Sequence, residues 1–101
     1  MSQAAWLILP TYNEAANVER AALAALAVLE RAAPAAHRIL IVDDASPDGT
    51  GAIADRLAGA HPAIEVLHRA CREGLGPAYL AGFARALEGG AARVLEMDAD
   101  L

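Results

Sequence analysis

The sequence predicts an α/β fold, an open parallel sheet of four strands with three helices packed on its faces. Two observations predict it. Four short apolar runs alternate with three longer segments of helical periodicity. The stretches between runs are long enough for the helical crossovers that parallel strands require. At 101 residues there is room for one small domain.

Residues 5–9 (Ala-Trp-Leu-Ile-Leu) read as the first strand, closed by Pro10, with Trp6 packing that strand. A helix follows over 17–31, where Val18, Ala22, Leu26 and Leu29 recur at spacings of three and four. Asn17 suits its N-cap, and Pro34 follows its end. Residues 38–43 form the second strand, whose apolar, largely β-branched run suits burial on both faces. The segment Ser46-Pro-Asp-Gly-Thr50 is dense in turn residues. A second helix spans about 50–60, with Ile53 and Leu57 inward, and 63–67 is the third strand. Residues 69–76 are a loop, Pro77 suits a first helical turn, and 78–87 is the third helix. Gly89-Gly90 stops it, and 93–98 is the fourth strand. The result is a Rossmann-like open sheet.

Composition narrows the function. Hydrophobic residues make up 56% and charged residues 21%, which excludes a disordered chain. The net charge of -5, with arginine as the only strongly basic residue type, disfavours bulk binding to nucleic acid or anionic lipid. A phosphate ligand must then be held locally, by backbone amides, single arginines or a metal. The longest apolar run, 21–29, is far short of the ~20 residues that span a bilayer. No basic stretch precedes the first strand as in a signal peptide, and the single Cys71 permits no internal disulfide. A cytoplasmic location is expected.

In a parallel sheet, residues just after each strand gather at one edge, where ligands bind. That edge receives Thr11-Tyr-Asn-Glu14, Asp43-Asp44, the loop 69–76 and Asp98-Ala-Asp100. Asp98 and Asp100, two apart in an extended segment, project to one side. Two carboxylates there suit a divalent Mg²⁺ or Mn²⁺, which can neutralise a diphosphate leaving group; they are otherwise solvated acids or helix caps. One of Asp43 and Asp44 is expected to be structural, with Asp44 the one to touch a ligand. Asp48-Gly49 is assigned to turn geometry. Tyr12 offers a stacking face and Glu14 an acceptor, although Thr11-x-x-Glu14 also has capping-box spacing. Gly74-Leu-Gly-Pro77 opens a helix whose N-terminus favours phosphate, with Arg69 and Arg72 near enough to clamp it. His37, His61 and His68 lack metal-ligand spacing, and nothing argues for a catalytic partner of Cys71. The first strand is followed by Pro10-Thr-Tyr-Asn-Glu, not by a glycine fingerprint, so a nicotinamide enzyme is disfavoured and there is no P-loop.

Taken together, Leu9-Pro-Thr-Tyr-Asn-Glu14 with Asn17, Ile41-Val-Asp-Asp-Ala-Ser-Pro-Asp-Gly-Thr50, Gly74-Leu-Gly-Pro-Ala-Tyr-Leu-Ala-Gly-Phe83 and Glu96-Met-Asp-Ala-Asp-Leu101 resemble the family 2 inverting glycosyltransferases of GT-A fold. Within that family they look most like the dolichol-phosphate or polyprenol-phosphate mannose synthases. The one departure within the segments is Ala45, where glycine is frequent. The resemblance implies a GDP-mannose donor, a divalent metal and a polyprenyl phosphate acceptor at the membrane. Carried onto this chain, it places Pro10, Tyr12, Glu14 and Asp44 on the nucleoside, and Gly74, Leu75 and Gly76 along the donor site. Asp98, Ala99 and Asp100 become the D-x-D segment around metal and diphosphate. No catalytic base is assigned.

Family members continue beyond the D-x-D segment into an acceptor-binding half. Residues 1–101 are therefore expected to be the nucleotide-sugar-binding portion of a longer, membrane-associated enzyme, binding donor weakly, if at all, and not turning over without the rest. Two alternatives stand beside this reading. One is a UDP-glucose-dependent prenyl-phosphate or polysaccharide glycosyltransferase. The other is a receiver-type signalling domain, suggested by the acidic pair that ends 38–44 but lacking any lysine.

Overall fold

The apolar runs become strands and the periodic segments become helices in the computed structural model, which describes residues 4–99. In chain order these are β1 (Ala5–Thr11), α1 (Val18–Ala32), β2 (His37–Asp43), α2 (Thr50–Ala60), β3 (Ile64–His68), α3 (Leu75–Glu88) and β4 (Arg93–Glu96). All four strands pair in parallel, in the order β3-β2-β1-β4.

Alternation along the two central strands divides the core. Leu7, Leu9, Ile39 and Ile41 face one side, where Val18, Ala22, Leu26 and Leu29 of α1 meet them with Ala54 and Leu57 of α2. Trp6, Ile8, Leu40 and Val42 face the other side, against Ala78 and Ala86 of α3. One face thus buries the apolar stripes of two helices and the other that of a third, which is why both central strands read as nearly continuous apolar runs.

Three element ends differ from the sequence expectation, each for a local reason. β1 runs through Pro10 to Thr11, because only one side of the strand loses a donor there. The carbonyl of Thr11 accepts from Asp44 on the β2 side, whereas that of Ile8 accepts from Met97 on the β4 side. Pro10, two residues after Ile8, turns its missing N–H toward β4, where pairing has already ended at Ile8↔Glu96. For the same reason β4 stops at Glu96 and not at Asp98: the next ladder bond would need an amide on Pro10. α3 begins at Leu75, three residues early, because Pro77 falls within the first turn, where an N–H has no intrahelical acceptor.

The C-terminus of α3 rests on the indole of Trp6. A Cβ built on Gly89 would lie 2.3 Å from the ring, so only glycine permits this approach. Arg38 and Arg85 each stack over the same ring at 5.4 Å, and Glu65 pairs with both guanidinium groups. The chain steps from β1 outward to β3, then returns beneath α3 to place β4 on the far side of β1. The strand order therefore reverses between β1 and β4, which opens a crevice at their carboxyl ends.

Candidate functional site

The loop after β1 carries Tyr12 and Glu14, and it has no secondary structure of its own to hold it. Side chains from the turn after β2 hold it instead. The backbone N–H groups of Asn13, Glu14 and Ala15 donate to Ser46 Oγ at 2.9 Å, Thr50 Oγ1 at 3.0 Å and Asp48 Oδ2 at 3.1 Å. Asp48 also accepts from the Thr50 amide at 3.0 Å and from the Thr50 hydroxyl. The Thr50 hydroxyl holds the Asp48 carboxyl below its ordinary range, helped by the backbone amides and opposed by desolvation. The turn-rich segment thus does more than reverse the chain, since it straps one ligand-facing loop to another. The capping box that the Thr11–Glu14 spacing allowed as the alternative does not form: Thr11 Oγ1 donates to Asp43 Oδ1 at 2.8 Å, and the Glu14 amide is taken by Thr50.

The acidic pair after β2 divides its labour. Asp43 is buried and structural, accepting from Thr11 Oγ1, the Ser46 amide at 3.1 Å and Ser46 Oγ at 2.7 Å. Asp44 is equally buried and binds the loop at 69–74. Its Oδ2 accepts from the Glu73 and Gly74 amides at 3.1 and 2.9 Å. Its Oδ1 lies 3.1 Å from Arg69 Nε, an ion-pair contact without hydrogen-bond alignment, so Nε is a buried donor lacking an aligned acceptor. The rest of the Arg69 guanidinium is engaged by the Pro77 carbonyl at 2.7 Å and by Glu73. Gly74 sits at φ 102, where a side chain would be strained, and there it caps the N-terminus of α3.

Two cavities open at the crevice, and both are lined by Pro10, Tyr12 and Leu75. The smaller, about 150 Å³, adds Thr11, Asp44, Arg72, Gly74 and Ala78. The larger, about 290 Å³, adds Glu14, Asp98 and Ala99. Eight of the ten anticipated residues therefore line these cavities. Gly76 lines neither and is exposed in the first turn of α3, between the cavity-lining Leu75 and Ala78. Asp100 lies outside the described residues. Of the two arginines expected to form a clamp, Arg69 is tied into the loop and Arg72 alone lines a cavity, its guanidinium 4.0 Å from the Tyr12 ring centroid. Ala78 was not anticipated; its signal was a small residue in the first turn of a helix beside a glycine-rich loop.

The larger cavity is acidic. Among the described residues, the carboxylates of Glu14 and Asp98 make no hydrogen bond or ion pair, although both line it. Burial, then the charges of Asp98 and Glu96, push the Tyr79 hydroxyl above its usual range and keep it protonated. Two carboxylates on a cavity whose described lining side chains offer no nitrogen or sulfur donor fit a hard divalent cation, as Mg²⁺ or Mn²⁺ prefers oxygen. The described residues contain no group of three His, Cys, Asp or Glu side chains placed to hold a metal, so a full ligand set needs atoms beyond them.

A parallel sheet with an acidic cavity at its strand-order reversal is the arrangement of a nucleotide-binding α/β domain. The chain belongs to glycosyltransferase family 2, whose profile matches residues 6–101. It is 48% identical over 100 residues to the polyprenol monophosphomannose synthase of Mycolicibacterium smegmatis, covering 98% of this chain and 36% of that protein. It is 50% identical over 93 residues to the undecaprenyl-phosphate mannosyltransferase of Micrococcus luteus, covering 92% and 36%. A solved structure, the mannosyltransferase PcManGT from Pyrobaculum calidifontis in complex with GDP-Man and Mn²⁺, superposes with a TM-score of 0.76 at 28% identity. That match covers 95% of this chain and 27% of the other. The chain thus spans about a third of the length of these relatives. Family membership removes the receiver alternative, and the burial of Asp43 in internal hydrogen bonds agrees. Among the described residues no helix is long and apolar enough to cross a membrane.

Proposed function

We propose that residues 1–101 are the donor-binding portion of an inverting glycosyltransferase that moves mannose from GDP-mannose to a polyprenyl phosphate. The observation that carries this reading is the convergence of Pro10, Tyr12, Glu14, Asp98 and Ala99 on one cavity at the β1/β4 reversal. The two mannosyltransferase relatives at about half identity support it, as does the neighbour bound to GDP-Man and Mn²⁺.

In this reading Tyr12 and Pro10 give the nucleoside an apolar wall, and Asp44 holds the loop that closes the smaller cavity. Asp98 and Asp100 would hold the divalent ion, and Glu14, assigned to the nucleoside from the sequence, lines the same cavity as Asp98 and could add a further oxygen. When bound, that ion supplies positive charge to the departing diphosphate. The acceptor phosphate has a second pKa of about 6, by analogy with phosphoserine, so it is largely dianionic near neutrality. Its oxygen attacks the anomeric carbon; the new C–O bond forms as the bond to the GDP oxygen breaks, and GDP leaves with the electron pair. No general base is required, and the domain contributes by positioning.

Calorimetric titration with GDP-mannose and UDP-glucose, each with and without Mn²⁺, tests the donor. Mn²⁺-dependent binding of GDP-mannose alone is expected. A preference for UDP-glucose would keep the fold and overturn the substrate.

A further inference from the structure

The loop at residues 69–76 holds two arginines with opposite situations. Arg69 is mostly buried, and its guanidinium is engaged by Asp44, Glu73 and the Pro77 carbonyl. Arg72 is exposed and, among the described residues, makes no hydrogen bond or ion pair. Its guanidinium rests on the Tyr12 ring, 4.0 Å from the centroid, at the wall of the smaller cavity. A guanidinium laid against an aromatic face keeps its N–H donors available in its own plane. Among the described residues Arg72 is the only cationic side chain lining either cavity. The other charged group on the smaller cavity, Asp44, already accepts two loop amides. The unused directional polar groups at this end of the crevice are therefore donors, and they suit a ligand that presents acceptors.

We propose that Arg72 selects the base of the donor, donating side by side to O6 and N7 of guanine. The proposal rests on the donor reading above and deepens it. Guanine presents two adjacent acceptors on that edge, the pair that an arginine fork matches best, whereas a uracil offers a carbonyl there without a second ring acceptor beside it. Tyr12 is the platform that fixes the plane of the fork. Asp44 is a positioning residue, since it ties down the amides of the two residues that follow Arg72.

The test compares GDP, 7-deaza-GDP and UDP as ligands of the chain in saturating Mn²⁺. The 7-deaza analogue replaces N7 by carbon and leaves the diphosphate unchanged. The unaltered chain should bind GDP about fivefold or more tighter than 7-deaza-GDP, and tighter than UDP by about tenfold or more, the scale of a bidentate base contact. In Arg72→Ala the preference for GDP over 7-deaza-GDP should vanish and that over UDP should shrink. If the unaltered chain binds GDP and 7-deaza-GDP equally, or if its preference survives Arg72→Ala, Arg72 does not read the base; the donor reading still stands. If Arg72 met only the diphosphate, the variant would weaken both guanine ligands alike, which is that second outcome. A chain that binds none of the three overturns this assignment for residues 1–101.

Discussion

Asp44 Oδ2 accepts the backbone N–H of Gly74 at 2.9 Å, tying the end of β2 to the start of α3 across thirty residues of chain. The same carboxylate takes the Glu73 amide and faces Arg69, so a single buried side chain shapes the loop that walls the smaller cavity. Replacing it by alanine removes two charge-assisted hydrogen bonds and leaves Arg69 without its buried counter-charge. Asp44→Ala should cost about 3 kcal/mol, between the value of such hydrogen bonds and that of a broken buried pair. Urea unfolding followed by circular dichroism measures it. A loss under about 1 kcal/mol would mean that the loop holds its shape without the carboxylate.

Ala45 occupies the left-handed region at φ 60, next to Asp44 and at the one position where the chain departs from the glycine common in the family segment. A Cβ there costs roughly 1–2 kcal/mol, partly offset because glycine gains freedom in the unfolded chain. Ala45→Gly should therefore stabilise by about 0.5–1 kcal/mol. The same urea titration reads this as a higher midpoint with unchanged slope. A lower midpoint would show that the turn relaxes around Ala45 without strain.

The Asp48 carboxyl titrates lower in the folded chain than its ordinary value of 3.8, chiefly through the Thr50 hydroxyl. A depressed folded pKa contributes stability that is fully present above the unfolded value and is lost as pH falls through the folded one. Asp48→Asn should thus lower the urea midpoint at neutral pH and flatten its decline below about pH 4. Wild type and variant should converge in strong acid. Curves that stay parallel through that window would show that Asp48 is not linked to folding.

These three positions also show where the sequence is readable. Strand and helix identity depends on neighbours within a turn or a pleat, so Val18, Ala22, Leu26 and Leu29 reveal their burial directly. The gathering of Tyr12, Glu14, Asp44 and Asp98 at one edge follows from parallel topology alone. The strap from Ser46, Asp48 and Thr50 to the amides of 13–15 was not legible, since its partners lie more than thirty residues apart. The ends of β1 and β4 turn on which side of the strand Pro10 presents, and that depends on the neighbouring strand. The separate fates of Arg69 and Arg72 are set by packing of the loop on Asp44 and Tyr12, which spacing does not encode.

Glu14 and Asp98 line the larger cavity without a neutralising partner among the described residues. Neither carboxylate holds another part of the described fold in place. Asp98→Asn should therefore leave the metal-free protein as stable as before, within about 0.5 kcal/mol, because the side chain is exposed. With Mn²⁺ and GDP present the order should change, since a ligand at free concentration L that binds only the folded state raises its stability by RT ln(1 + L/Kd), which grows as binding tightens. Loss of a directly coordinating oxygen should weaken Mn²⁺-dependent GDP binding by about tenfold or more, at least the effect of losing an outer partner of a metal site. Thermal unfolding with and without Mn²⁺ and GDP separates these terms. The unaltered chain should gain a larger upward shift than Asp98→Asn, and Glu14→Gln should fall with the variant. If Glu14→Gln keeps the full shift while Asp98→Asn loses it, the cation sits on the Asp98 side alone and Glu14 faces the nucleoside.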